Sequence, residues 1–231
     1  MKSNYSKLFR PKKSNIETEH GIKFSLNDKQ NIFIDLEEAL ENVHCCYYSR
    51  LFLTNAEKRY LLRDFHLAEG MERFQDNLTK VINNQLPIHP SIKNNIGKLY
   101  AKYFFHYFWT DTPRSPSKSI VFEKENWVGE KYLMWTEKFA LWMYNGEDGS
   151  IILELTPYFS MSQCWLADET PNFIAYEKFV RKYKSIFKQV IPKEVAQQWC
   201  EQANTILEQI EKNIVRMQEE YDAKKNKKLK P

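Results

Sequence analysis

No run of apolar residues in this 231-residue chain approaches the ~20 needed to cross a bilayer as a helix, so an integral helical membrane protein is not expected. Glycine is scarce, at six residues, and no glycine-rich phosphate loop, nucleophile elbow or repeat occurs. That argues against nucleotide chemistry, against a serine hydrolase and against a solenoid. The four cysteines, Cys45, Cys46, Cys164 and Cys200, contain no Cys-x-x-Cys spacing. With charges in place of an apolar run over residues 1–20, they predict reduced thiols and a cytoplasmic location.

Aromatic residues are plentiful at 15%, and a chain of this length can bury one large core, so Phe, Tyr and Trp should dominate it. The formal charge of +4 is unevenly placed. Lys2, Lys7, Arg10, Lys12 and Lys13 give residues 1–13 a charge of +5, and Asp222 against Lys224, Lys225, Lys227, Lys228 and Lys230 leaves +4 for residues 222–231, so residues 14–221 carry −5. A body that is acidic between basic ends is the reverse of a phosphate-binding face, and nucleic acid is not the expected partner. The ends read as a basic lead-in over 1–20 and a lysine-rich tail over 224–231, around a single α+β domain at 21–223.

Apolar residues at helical spacing (Ile32, Leu36, Leu40, Val43, Tyr47) predict a helix over about 29–49. Thr54-Asn-Ala-Glu57 has the form of a capping box opening a second helix through Tyr60, Leu61 and Phe65, with a division at Gly70 before Met71 to Ile82. Pro87 and Pro90 end it, and Ser91 caps a third helix through Tyr107. Residues 110–118 read as a linker. The period then changes to two. Ile120 to Phe122 and a hairpin over 131–158, reversed at Asn145-Gly-Glu-Asp-Gly149, predict a three-stranded antiparallel meander. Thr170-Pro171 should cap a helix running to Phe187, and Pro192 should open the last and longest helix, whose stripe of Trp199, Ala203, Ile206, Ile210, Ile214, Met217 and Tyr221 packs on the preceding helix. Pairing of two copies through that stripe is the alternative left open.

Candidate chemistry is sparse. Arg59 and His66, seven residues apart on an expected helix, share a face. Their spacing resembles the short catalytic motif of HEPN-type ribonucleases, which implies positioning and protonation of RNA phosphates and makes an RNA-cleaving enzyme the alternative function. His44-Cys45-Cys46 offers metal-ligand types, but a closed zinc site needs four ligands from two segments and none of the remaining histidines or cysteines has paired spacing, so the small thiols are read as core filling and no metal or cofactor is expected. Cys164 has no base placed beside it, and the carboxylates Glu123, Glu125, Glu154, Asp168 and Glu169 do not define a pair by spacing. Tyr103 to Trp109 lacks the basic groove of a stacking platform and reads as buried helix.

The run Leu141-Trp-Met-Tyr-Asn-Gly-Glu-Asp-Gly-Ser-Ile-Ile-Leu-Glu-Leu-Thr-Pro-Tyr158 resembles a hairpin of bacterial immunity proteins, cytoplasmic proteins that neutralise polymorphic or contact-dependent toxins. The resemblance implies a non-enzymatic, protein-binding inhibitor. Its partner would be a basic toxin domain met by the acidic body, with Glu147 and Asp148 at the hairpin turn as candidate contacts.

Overall fold

A computed structural model describes residues 20–93, 95–109, 122–123, 126–159, 163 and 172–228. The chain is mixed helix and sheet, built on two four-stranded antiparallel sheets. The first is a meander, β1 (Gly21–Asn27), β2 (Gln30–Asp35), β3 (Tyr48–Asn55) and β4 (Lys58–His66). It occupies the segment where two helices are expected. Apolar residues four apart share a face on a strand as well as on a helix, because four is a multiple of the strand period. What decides is the finer alternation: Ile22 and Phe24, Ile32 and Ile34, and Leu51 and Leu53 all point into the core. Turn chemistry agrees. The Asn27 side chain accepts from the Lys29 N–H at 3.0 Å, closing the first hairpin, and the Thr54-to-Glu57 capping signature is the β3–β4 turn, with Ala56 at a φ of +53°.

After β4 the chain enters α1 (Leu67–Ile82), which runs through Gly70 rather than dividing there. A Cβ on Gly70 would lie 1.9 Å from the Phe65 ring, so glycine serves a close approach. The third helix starts later than expected. His89 Nδ1 accepts the Ser91 N–H to cap a 3-10 turn at Pro90–Ile92, and α2 spans Ile96–Trp109. The linker expected at 110–118 lies outside the described residues. β5 (Phe122–Glu123) pairs only with β6 (Asn126–Trp127) and does not join the hairpin.

The second sheet has the order β10 (Phe187–Ile191), β9 (Ile151–Pro157), β8 (Phe139–Asn145) and β7 (Leu133–Thr136). The hairpin turn is where its Asn-Gly and Asp-Gly pairs place it, with Gly149 at a φ of +80° and the Gly146 N–H donating to Ser150 O at 2.7 Å. The expected three-stranded meander gains a fourth strand, because Phe187 ends no helix and instead opens β10 along β9. The helix before it, α3 (Phe173–Lys182), is capped by Asn172, whose side chain accepts the Ala175 N–H at 3.0 Å. Thr170 and Pro171 lie outside the described residues. The last helix, α4 (Lys193–Lys228), opens after Pro192 as expected, and Lys224 and Lys225 are exposed on its last turns.

The sheets meet where β4 runs beside β7 and β8: the Asp64 N–H donates to the Glu137 carboxylate at 3.2 Å and Tyr60 meets Phe139 edge-on. α1 and α4 cover one face of this joint. Phe74 on α1 reaches Phe24 at 4.9 Å, Trp135 at 5.4 Å and Trp199 at 6.1 Å, so one ring touches both sheets and the other helix. The stripe on α4 therefore packs on α1 and the first sheet, not on the preceding helix, and its buried part ends near Ile210; Ile214 and Tyr221 are exposed. The opposite face of the second sheet is covered too. Tyr100 of α2 meets Trp142 at 5.3 Å, and a Cβ on Gly97 would strike Thr156 at 2.3 Å. Among the described residues, no helix packs on the outer face of the first sheet.

Ala56 is held left-handed, a conformation that costs an L-residue roughly 1–2 kcal/mol and glycine little. Ala56→Gly should therefore stabilise the protein by about 0.5–1 kcal/mol, the gain being reduced by glycine's larger unfolded-state entropy. Chemical denaturation would read this as a higher midpoint, and an unchanged or lower midpoint would contradict the turn geometry.

Candidate binding site

Arg59 and His66 do not come together. Both lie on β4, Arg59 opposite Thr54 and His66 opposite Tyr48. Six residues of β3 separate those partners, about 20 Å at ~3.3 Å per residue, too far to share one phosphate. Each is also engaged by aromatic groups. The Arg59 guanidinium lies 4.0 Å from the Phe52 ring centroid and 4.6 Å from that of Phe33, and the His66 ring sits 4.1 Å from that of Tyr48.

Glu147 and Asp148 are exposed on the β8–β9 turn. Glu147 is paired with Lys93, and Asp148 receives the Ser150 N–H at 3.0 Å. Hydrogen bonds from the Ser150 side chain and then its backbone hold the Asp148 carboxyl below its ordinary value. The turn itself is rigid, because buried Asn145 donates to Val81 O at 2.8 Å and accepts the Leu86 N–H at 3.1 Å. Cys45 and Cys46 do not fill the core; with His44 they form an exposed turn. Cys164, Glu125, Asp168 and Glu169 lie outside the described residues.

Glu154, which alternation places opposite Leu153 and Leu155, is buried with them. Tyr144 donates to its carboxylate at 2.6 Å, and Lys188 stands 3.6 Å away at the edge. The carboxylate is itself buried, while Lys188 beside it is exposed on the edge strand. Burial raises the Tyr144 phenol above the ordinary 10.0, with the Glu154 charge adding to it. Burial likewise raises Tyr100 and Tyr183 and pushes Tyr176 up to about 12.

The open face of the first sheet is different. Strand register lines up Asp35, Arg50 and Asp64 across β2, β3 and β4, with Arg50 donating to Asp35 at 2.7 Å. Beside them Tyr48 is 64% exposed and divides two clefts. The wider, about 240 Å³, is lined by Asp35, Glu37, Asp64 and Arg50, with buried Asp35 paired to Arg50 and Glu37 and Asp64 exposed. The narrower, about 90 Å³, is lined by Tyr48, Arg63, His66, Glu69, Arg73 and Trp135, with Asp64 shared between the two, so its two carboxylates meet two guanidinium groups. Ser49 Oγ, on the core side of β3 between exposed Tyr48 and Arg50, and His66 Nδ1 at the narrower cleft are shielded from solvent, with no hydrogen-bond partner among the described residues. Such atoms each cost about 1–3 kcal/mol until something supplies a partner. An exposed aromatic ring beside surplus carboxylates suits a cationic side chain, held by charge on one side and by the ring quadrupole on the other. A larger groove of about 460 Å³ beside α1 mixes Arg73, Lys80 and Lys131 with Asp76 and Glu130, and Lys80 already pairs with Asp76 at 2.5 Å, so its charges are close to balanced.

Of these cleft residues only His66 was singled out by sequence pattern, and there as a partner of Arg59. The signal that could have found them is the polar residue at alternate positions of β2 to β4, visible only once those segments are read as strands. No family model, curated protein or solved structure matches the chain.

The raised phenols fix a pH dependence. A tyrosine that keeps its proton above the unfolded value of 10.0 contributes stability that is complete below pH 10 and is lost as pH rises beyond it. Unfolding should therefore become easier from about pH 10 upward, and Tyr144→Phe should make that decline shallower. At neutral pH the same substitution removes a donor from a buried carboxylate and should cost about 1.5–3 kcal/mol. A variant as stable as the parent, with an unchanged alkaline limb, would show that the pair does not hold the second sheet.

Proposed function

We propose that this chain is a non-enzymatic protein-binding protein that captures a basic partner on the open face of its first sheet and inhibits it there. The form implied by the hairpin resemblance is neutralisation of a cognate bacterial toxin in the cytoplasm. One observation carries the reading: exposed Tyr48 stands beside a cleft lined by Asp35, Glu37 and Asp64 on a sheet face that no described helix covers. The surplus of acidic residues in 14–221 agrees with it, since complementary charge raises association rates and rejects wrong partners. Glu147 and Asp148 remain in this reading as exposed charges on a rigid turn that can contribute to steering.

A short arginine-rich peptide serves as the probe. It should bind saturably, with an on-rate that falls as salt rises, because exposed charges are screened beyond ~8 Å at physiological ionic strength. Tyr48→Ala combined with Asp64→Asn, both exposed positions, should weaken binding by about tenfold or more while leaving the melting temperature nearly unchanged. Equal affinity in the folded double variant, or an on-rate indifferent to salt, would remove the proposal.

A further inference from the structure

The turn between the 3-10 segment Leu40–Asn42 and β3 is anchored at both ends. Val43 is fully buried, and its carbonyl accepts from Asn213 of α4 at 2.8 Å. On the other side the Tyr47 N–H donates to His44 O at 3.0 Å, the Tyr47 carbonyl accepts the Leu67 N–H at 2.9 Å, and the Tyr47 hydroxyl accepts the N–H groups of Glu37 and Glu38 at 2.5 and 3.1 Å. Between these anchors the side chains of His44, Cys45 and Cys46 all face solvent, and their ligand atoms lie within 4.8 Å of one another. The backbone is held while the three donors stay available, which is the preorganisation a metal site needs.

The sulfur spacing suits a tetrahedral ion. The two sulfurs are 3.6 Å apart. A disulfide would require about 2.05 Å. Two thiolates at ~2.3 Å from a tetrahedral zinc ion stand roughly 3.8 Å apart, and a thiolate and an imidazole nitrogen on that ion stand roughly 3.5 Å apart. The imidazole is also in the right form. Its Nδ1 accepts the Cys46 N–H at 3.2 Å, which leaves the ring proton on Nε2 and a lone pair on Nδ1.

We propose that His44, Cys45 and Cys46 form a surface site for a thiophilic d10 dication of the zinc class. On binding, the ion replaces the two thiol protons, which pass to solvent, and Nδ1 exchanges its N–H contact for the metal. Two thiolates balance the dication, so the occupied site adds no net charge, and solvent takes the fourth position. The open coordination position follows from all three ligands coming from one turn, which cannot enclose an ion as two converging segments do.

The test is titration of the full-length, reduced protein with cadmium, which reports thiolate ligation through a ligand-to-metal charge-transfer band, followed by competition with zinc. A band saturating at one ion per chain, displaced by zinc, is the expected result. Cys45→Ser or Cys46→Ser should weaken binding by about a hundredfold and His44→Ala by about tenfold, whereas Cys164→Ser and Cys200→Ser should leave it intact. The three ligands are exposed, so these variants should keep the parental melting temperature. Absence of the band, or a band that survives in the Cys45→Ser/Cys46→Ser double variant, would overturn the site.

Discussion

One ring, that of Phe74, holds the molecule's parts in register. It is fully buried and touches Phe24 of the first sheet, Trp135 of the second and Trp199 of α4, so the two sheets and the two covering helices share a single aromatic joint. Truncating a buried phenylalanine costs roughly 3–5 kcal/mol, a large part of the 5–15 kcal/mol that holds a typical domain folded. Because the joint fixes α1 and α4 on one side of both sheets, and α2 packs on the far side of the second, the first sheet keeps a face that no described helix covers. The binding proposal depends on that arrangement before it depends on any charge.

How much of this the sequence carried can be read element by element. The β8–β9 hairpin was legible because Asn145-Gly146 and Asp148-Gly149 prescribe a turn and the flanking residues suit strands. The last helix was legible because Pro192 marks its start. Residues 29–66 misled for a physical reason: Ile32, Leu36 and Leu40 satisfy helix and strand periods alike, and Thr54-x-x-Glu57 fits a tight turn as well as a helix start. The same misreading placed Arg59 and His66 on one helical face and buried Cys45 and Cys46 in a core. The cleft itself could not be read at all, since Asp35, Tyr48, Arg50 and Asp64 become neighbours only through strand register.

Charge acts at two scales here. The excess of acid in residues 14–221 is diffuse and works at a distance, whereas the wider cleft brings three carboxylates and one guanidinium into one lining. Only the second can discriminate one basic side chain from another. Glu154 makes the contrast plain: it is a buried carboxylate that accepts from Tyr144 and stands near Lys188, and its burial keeps it from contact with a partner.

The central claim is that recognition takes place on the open face of the first sheet. Mapping backbone amide shifts of the isotope-labelled protein as an arginine-rich peptide is added tests it most directly. The account predicts perturbations concentrated at Asp35, Glu37, Tyr48 to Arg50 and Asp64 to Glu69. Perturbations centred on the hairpin turn at Glu147 and Asp148, with the β2–β4 face unmoved, would contradict it.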